Sequence, residues 1–335
     1  MISLLCAPMA TLSHEAFRRA VERFGGCDEY VTEMINAPSL VNGGPFEAYY
    51  LLNGPVPEKI VWQLTGSKAE ALAQAAQIVA KKGGKGVDIN MGCSAPQIYK
   101  TGAGIAWMLK PLAETKDAVR GVKAALCEHE RQTGVKLRLS VKCRLGAEDF
   151  SESSLFAFTD MLVENGVEQI TLHPRTIKEK YRFLPKYEYV EKLALRYADS
   201  HVSVILNGGI QDAQSAETAL HTAPHAAGLM IARAAAQKPW MFDALQRHFA
   251  GGKAGTQAVD CEQLALDFIA DVERCQPPEF HKTRLQRFFS YYCLNFSFAH
   301  YFQTQMLNAQ STDDSRERVR AYFKQQEADR VIRYP

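Results

Sequence analysis

No two of the chain's cysteines are spaced as CxxC, and no Cys/His cluster has zinc-site spacing. That argues against a zinc ribbon and a thioredoxin-type redox pair. The eight cysteines (6, 27, 93, 127, 143, 261, 275 and 293) read as mostly reduced, buried thiols of a cytoplasmic protein. No apolar run reaches the roughly 20 residues that span a bilayer, so no membrane partner is expected. The opening MISLLCAPMATLSHEAF has no basic region ahead of a long apolar one, so no secretory signal is expected. Strong charge is missing too: the formal net charge is +2. That excludes a polybasic protein but leaves room for a local basic face. With 47% hydrophobic and 23% charged residues, the 335-residue chain is neither disordered nor low-complexity.

Instead, short apolar runs alternate with helical patterns over the first 245 residues or so. The runs are 2–8, 29–35, 59–66, 86–92, 136–146, 168–174, 202–209 and 226–233. Amphipathic stretches such as SHEAFRRAVERF (13–24) and AEALAQAAQIVAKKG (69–83) lie between them. Apolar strands separated by helices form parallel sheets buried on both faces. Eight such units match a (β/α)8 TIM barrel; an open doubly wound sheet is the alternative. The small-residue segment AGGKAGTQAVD (250–260) reads as a linker. Beyond it the pattern is helical. We therefore expect a barrel domain over 1–249 and an all-helical domain over 250–335.

Lys and Arg outnumber Asp and Glu nine to five over 281–333, with aromatics from Phe288 to Phe302 among them. The aromatics read as helix core. The basic residues, Arg284 and Arg287 included, read either as a solvated face or as a grip on a polyanion.

Barrel active sites collect at the C-terminal strand ends. Polar residues stand there: Gln63 in the third run, Asn90 and Cys93 at the fourth, Lys142 and Arg144 in the fifth, His173 and Arg175 at the sixth, and Asn207 in the seventh. Lys142 sits in an otherwise apolar strand, where a charge is costly unless something receives it. A structural ion pair, a Schiff-base lysine and a cofactor contact are the three readings, and the last is preferred. Asn207-Gly208-Gly209 at strand seven, with Ala232-Arg233 after strand eight, suits a phosphate site of backbone amides at a helix start. It implies a phosphorylated ligand such as FMN. Cys93 opens a Gly- and Pro-rich loop at the barrel mouth, where a thiol can serve as a general acid. His14 carries no such context and reads as an incidental surface histidine.

APMA (7–10), WQLTG, DINMGCSAP with KTGAG close behind, VKCRLG, TLHPRT, NGGI and MIARAAAQKPW together resemble the tRNA-dihydrouridine synthase family. The resemblance implies reduction of a uracil C5–C6 bond in tRNA, with FMN as cofactor and NADPH as reductant. It implies Cys93 as the donor of a proton to C5. Pro8, Met9, Ala10 and Gln63 would line the flavin ring. Lys142 and His173 would contact the flavin or the uracil. Asn207, Gly208, Gly209, Ala232 and Arg233 would hold the phosphate, and Asn90 and Arg175 would orient the substrate. The helical domain would bind tRNA, with Arg284 and Arg287 on its basic face. No metal is expected, and a monomer is. The pattern departs from the family at MATLSH (9–14), where Met-Ala-Gly-Val-Thr-Asp is usual, at Ser94 and Gln97, in HPRTIKEKYRF (173–183), and at Ala232 and Ala234, where glycines flank the arginine. A dihydroorotate dehydrogenase-like flavin barrel and an RNA-binding barrel without catalysis are the competing readings.

Overall fold

The computed structural model describes residues 2–147, 149–179, 183–251 and 255–335. Part of the HPRTIKEKYRF run (180–182) and of the expected linker (252–254) lies outside them.

The apolar runs become parallel strands: β1 (Ser3–Cys6), β2 (Glu29–Val31), β3 (Ile60–Thr65), β4 (Gly86–Met91), β5 (Arg138–Arg144), β6 (Gln169–His173), β7 (Ser203–Asn207) and β8 (Gly228–Ile231). The order runs β2-β1-β8-β7-β6-β5-β4-β3, and pairing of Tyr30 and Val31 with Ile60 and Val61 closes the barrel. The second run (29–35) is not one strand. After Val31 the chain leaves the barrel wall and returns as a two-residue strand, Ile35–Asn36, on the end of β3. Crossover helices follow the amphipathic stretches: α1 (Glu15–Glu22), α2 (Ala69–Ala80), α3 (Leu112–Thr133), α4 (Glu152–Glu164), α5 (Glu188–Arg196), α6 (Ala213–Thr222), then α7 (Arg233–Gln237) and α8 (Met241–Phe249). The entry to α6 is set by a capping box, in which Asp212 accepts from the Ser215 amide and Ser215 reaches back.

Inside the barrel, Leu5, Val31, Val61, Ile205 and Met230 form an apolar plug. At the bottom, Arg138 binds both oxygens of Glu29 at 2.8 and 2.6 Å, and Lys85 adds a third contact at 3.1 Å. The charged pairs at this end are thus satisfied within the protein, as expected of a face that serves stability.

Beyond the barrel come α9 (Cys261–Cys275), α10 (Pro278–Tyr292), α11 (Ala299–Leu307) and α12 (Thr312–Gln325). Their core is aromatic. Phe268 stacks on Phe288 at 3.8 Å, Phe288 on Tyr292 at 4.9 Å, and Phe302 on Tyr322 at 4.1 Å. Burying each such ring contributes about 1.5–3 kcal/mol, so these aromatics serve as core. The helices are joined by an antiparallel ribbon of β9 (Gln257–Asp260) and β10 (Val331–Tyr334), which sequence periodicity does not reveal because each strand is four residues long. Polar contacts tie this unit to the barrel, and three of them act as struts. Arg23 pairs with Asp267, Arg284 with Glu33, and Tyr334 donates to Asp243 Oδ2 at 2.8 Å. Among the described residues no helix is long and apolar enough to cross a membrane.

Candidate active site

The parallel register brings the polar strand ends level. Asn90 pairs with Lys142, Lys142 with Thr171, and Arg144 with His173. Because side chains alternate along a strand, Ser140, Lys142 and Arg144 share the inner face of β5, while Val141 and Cys143 pack outward into the apolar layer.

A buried hydrogen-bond chain runs up this inner face. Ser140 donates to Asp88 Oδ1 at 2.7 Å, and Gln63 Nε2 donates to Asp88 Oδ2 at 2.8 Å. Asn90 Nδ2 donates to Gln63 Oε1 at 2.9 Å. Asn90 Oδ1 then accepts from the backbone amides of Gly92 at 3.2 Å and Cys93 at 2.9 Å. The chain ends on the loop that presents Cys93. Opposite, Gly104 has φ +61, and a Cβ there would lie 2.4 Å from the Cys93 carbonyl oxygen. The amide of Ile105 donates to that same oxygen at 3.0 Å. The second glycine of KTGAG thus makes the space in which the cysteine loop folds. Six of the eight cysteines are buried, Cys127 is exposed on α3, and Cys93 is half-buried at the mouth.

Cations converge on the far wall. Burial pushes the His173 pKa far down, helped by Lys142, Arg144, Arg175 and Arg233. The ring is therefore neutral. Its Nε2 lies 2.9 Å from Arg175 Nη1, and since arginine can only donate, Nε2 accepts and the proton sits on Nδ1. Burial, then Arg144, lowers the Lys142 pKa to about 8. Among the described residues Lys142 makes no hydrogen bond or ion pair with the protein. Gly208 and Gly209 have φ +110 and +80, and a Cβ on Gly208 would fall 2.6 Å from the His173 ring. Tyr187 donates to the Gly208 carbonyl oxygen at 2.9 Å, and Asn207 ties β7 to β8 through the Met230 carbonyl at 2.8 Å. Ala232 caps α7, with Arg233 exposed just beyond it. Left-handed glycine amides beside a group of cations suit an anionic ligand.

The structure brings together Asn90, Cys93, Lys142, His173, Asn207, Gly208, Gly209, Ala232 and Arg233 on one mouth. Pro8 is half-buried, Met9 buried and Ala10 exposed on the adjoining first loop. Burial sets four residues apart, and for Arg284 and His14 it corrects the expectation of a surface position. Gln63 lies beneath the mouth with no exposed surface, its Nε2 donating to Asp88 and its Oε1 accepting from Asn90. Arg175 is 4% exposed, donates to the Phe183 carbonyl at 2.9 and 2.6 Å, and lies 2.9 Å from His173 Nε2. Arg284 is 3% exposed and paired with Glu33, so it faces no solvent polyanion; only half-buried Arg287 of that pair reaches the surface. His14 is buried, neither ring nitrogen has a hydrogen-bond partner among the described residues, and burial keeps it neutral.

Sequence reasoning missed Asp88, Ser140, Tyr187 and Glu33. Asp88 and Ser140 had a signal, since each stands two residues before a mouth residue on its own strand. Glu33 had none, because its partner lies 251 residues away. One departure from the family motif has a conformational counterpart. Thr11 holds φ +63, a backbone that favours glycine, and its amide donates to Glu33 Oε2 at 2.8 Å.

The closed barrel and its mouth, with a polar chain ending on a cysteine loop and an anion-suited wall facing it, define a (β/α)8 barrel protein with a ligand site at the C-terminal strand ends. A family model described as dihydrouridine synthase (Dus) matches residues 5–333. The chain belongs to that family. It is 32% identical over 252 residues to a tRNA-dihydrouridine(47) synthase [NAD(P)(+)]-like protein of Mus musculus, covering 73% of this chain and 37% of that protein. It thus spans little more than a third of that relative's length. A probable tRNA-dihydrouridine synthase of Rhodobacter capsulatus is 33% identical over 240 residues, covering 71% of this chain and 68% of its own. Among solved structures, morphinone reductase superposes with a TM-score of 0.51 at 11% identity, over 73% of this chain and 86% of that one. At that identity the likeness is one of fold.

Proposed function

We propose that the protein is an FMN-dependent tRNA-dihydrouridine synthase that draws its reducing equivalents from NADPH. The observation that carries the reading is the pairing, across one barrel mouth, of the Asn90-anchored Cys93 loop with the wall of Lys142, neutral His173 and Arg233. Family membership supports the substrate class. The mouth fits FMN in chemistry. Gly208, Gly209 and the Ala232-Arg233 turn offer amides and a cation to a phosphate, and Lys142 offers an ammonium to an electron-rich ring. When bound and reduced, FMN supplies the hydride for uracil C6.

The chain's own residues do the rest. Cys93 holds a thiol proton and delivers it to C5, the general-acid half of the reduction. Asn90 fixes the backbone from which that thiol projects and is a positioning residue. Neutral His173, with its proton on Nδ1 and its Nε2 held by Arg175, adds no charge to the wall. Lys142 orients polar oxygens of the flavin or the base. The target uracil must leave its stack to enter, at a cost of about a few kcal/mol. Exposed cations of the helical unit, Lys282 and Arg320 among them, and half-buried Arg287 are placed to meet tRNA phosphates.

The test is Cys93→Ala. The purified variant should keep bound flavin and NADPH-driven flavin reduction while losing about 99% of the rate of dihydrouridine formation on tRNA, the lower end of the roughly 100-fold to 10,000-fold that general-acid catalysis contributes. Wild-type dihydrouridine yield from that variant overturns the role.

A further inference from the structure

We propose that a second base-binding cleft, beside the catalytic mouth, takes an unstacked guanine of the same RNA and so helps choose which uridine is presented. This rests on the RNA-substrate reading above. The cleft has a volume of about 410 Å³ and lies between the chain that follows β2 and the start of α10. It adjoins the mouth. Met34, which lines it, follows Glu33, and Glu33 holds the Thr11 amide two residues beyond Met9.

Its walls come from both parts of the molecule. Phe46 and Tyr50 belong to the barrel's second loop and Phe280 to the helical unit, and the Phe46 and Phe280 rings lie 4.7 Å apart. The Arg284 guanidinium sits 5.8 Å from the centre of the Tyr50 ring and 5.0 Å from that of Phe280, fixing both. Half-buried rings that line a cleft are what a single unstacked base packs against.

The polar end selects among bases. Glu47 Oε1 accepts from the Ser39 hydroxyl, while Glu47 Oε2 is buried with no hydrogen-bond partner among the described residues. The contact is built. A Cβ at Gly44 would lie 2.5 Å from Ser39 Oγ and 3.1 Å from Glu47 Oε1. Asn36 spends its Oδ1 on the Ser39 amide at 3.0 Å, which leaves its NH₂ facing outward as a donor. A carboxylate oxygen repels phosphate, so the occupant enters base first. Uracil offers one N–H between two carbonyls that the carboxylate repels. Adenine and cytosine offer one amino group beside an acceptor nitrogen. Guanine alone presents two adjacent donors, N1–H and the N2 amino group, with O6 beside them for the Asn36 NH₂.

The experiment measures binding of three single-stranded heptamers, UUUGUUU, UUUAUUU and UUUIUUU (I, inosine), to the full chain at fixed salt. Inosine keeps N1–H and O6 but lacks the N2 amino group. Wild type should bind the guanine heptamer about tenfold more tightly than the adenine one, in line with one good bidentate contact, with inosine between. Glu47→Gln should abolish the preference while leaving the uridine background unchanged, and Phe280→Ala should weaken all three. Equal binding of the three heptamers by wild type, or a preference that survives Glu47→Gln, overturns the cleft. Dihydrouridine formation on tRNA is assayed separately. Its absence would sink the proposed activity while the heptamers still report on the cleft, and a normal yield with no guanine preference would sink the cleft alone.

Discussion

Replacing Arg284 by methionine is the perturbation with the sharpest consequence. Its guanidinium lies 3.2 Å from each Glu33 oxygen and 3.1 Å from Gln276 Oε1, between the rings of Tyr50 and Phe280. Arg284 is 3% exposed and Glu33 5%, so solvent screens the pair little. Removing one partner of such a pair costs about 3–5 kcal/mol, mostly because the other charge is left buried. In thermal denaturation followed by circular dichroism, Arg284→Met should lower Tm by about 10 °C, from roughly 2–4 °C per kcal/mol in large domains. The double variant Glu33→Gln/Arg284→Met should recover much of that loss. The sign with pH follows from Glu33. Burial already raises its pKa, with Arg284 opposing, and the variant removes the opposition. The folded state then binds a proton more readily than the unfolded one, so its stability rises as pH falls from the raised folded value toward the unfolded one. The gap between variant and wild type should narrow between pH 7 and pH 5.5. A variant with wild-type Tm but weakened tRNA binding would refute the reasoning and restore Arg284 as a surface grip.

Three further predictions follow from the mouth. For apoprotein, FMN affinity measured by fluorescence quenching should fall as pH rises through about 8, where Lys142 loses its proton, by no more than about tenfold per pH unit; Lys142→Met should flatten that profile. Gly208→Ala forces a Cβ against the His173 ring at φ +110, so calorimetry should show a loss of about 1–3 kcal/mol, and the flavin content of purified protein should drop. Asn90→Ala unties Gln63 and the Cys93 amide together, costing about 1–3 kcal/mol; kcat on tRNA should fall more than tRNA affinity, and Asn90→Asp should recover part of the loss because Oδ1 is kept.

The barrel was legible because each strand is buried on both faces and so reads as an apolar run, with a polar residue standing out only where the strand meets the mouth. Lys142 and Asn90 are visible for that reason. Pairings between distant segments were not legible. Arg284 looks like a surface arginine among other basic residues, and only the fold brings it to Glu33. Gln63 stands in the third strand as a mouth residue would, but its depth depends on how far β3 is offset against β4, which local pattern does not encode. The short ribbon strands are too brief to show a period. His14 takes the place of a usual aspartate, and Phe268, 254 residues further along the chain, lies with its ring 6.3 Å from it.

The three struts give the molecule a mechanical property. Arg23 with Asp267, Arg284 with Glu33, and Tyr334 with Asp243 anchor the helical unit to separate points on the barrel, at α1, beyond β2 and on α8. Attachment at separate points opposes rotation of the helical unit about any one of them, so a ligand long enough to touch both the unit and the mouth meets them at a set spacing.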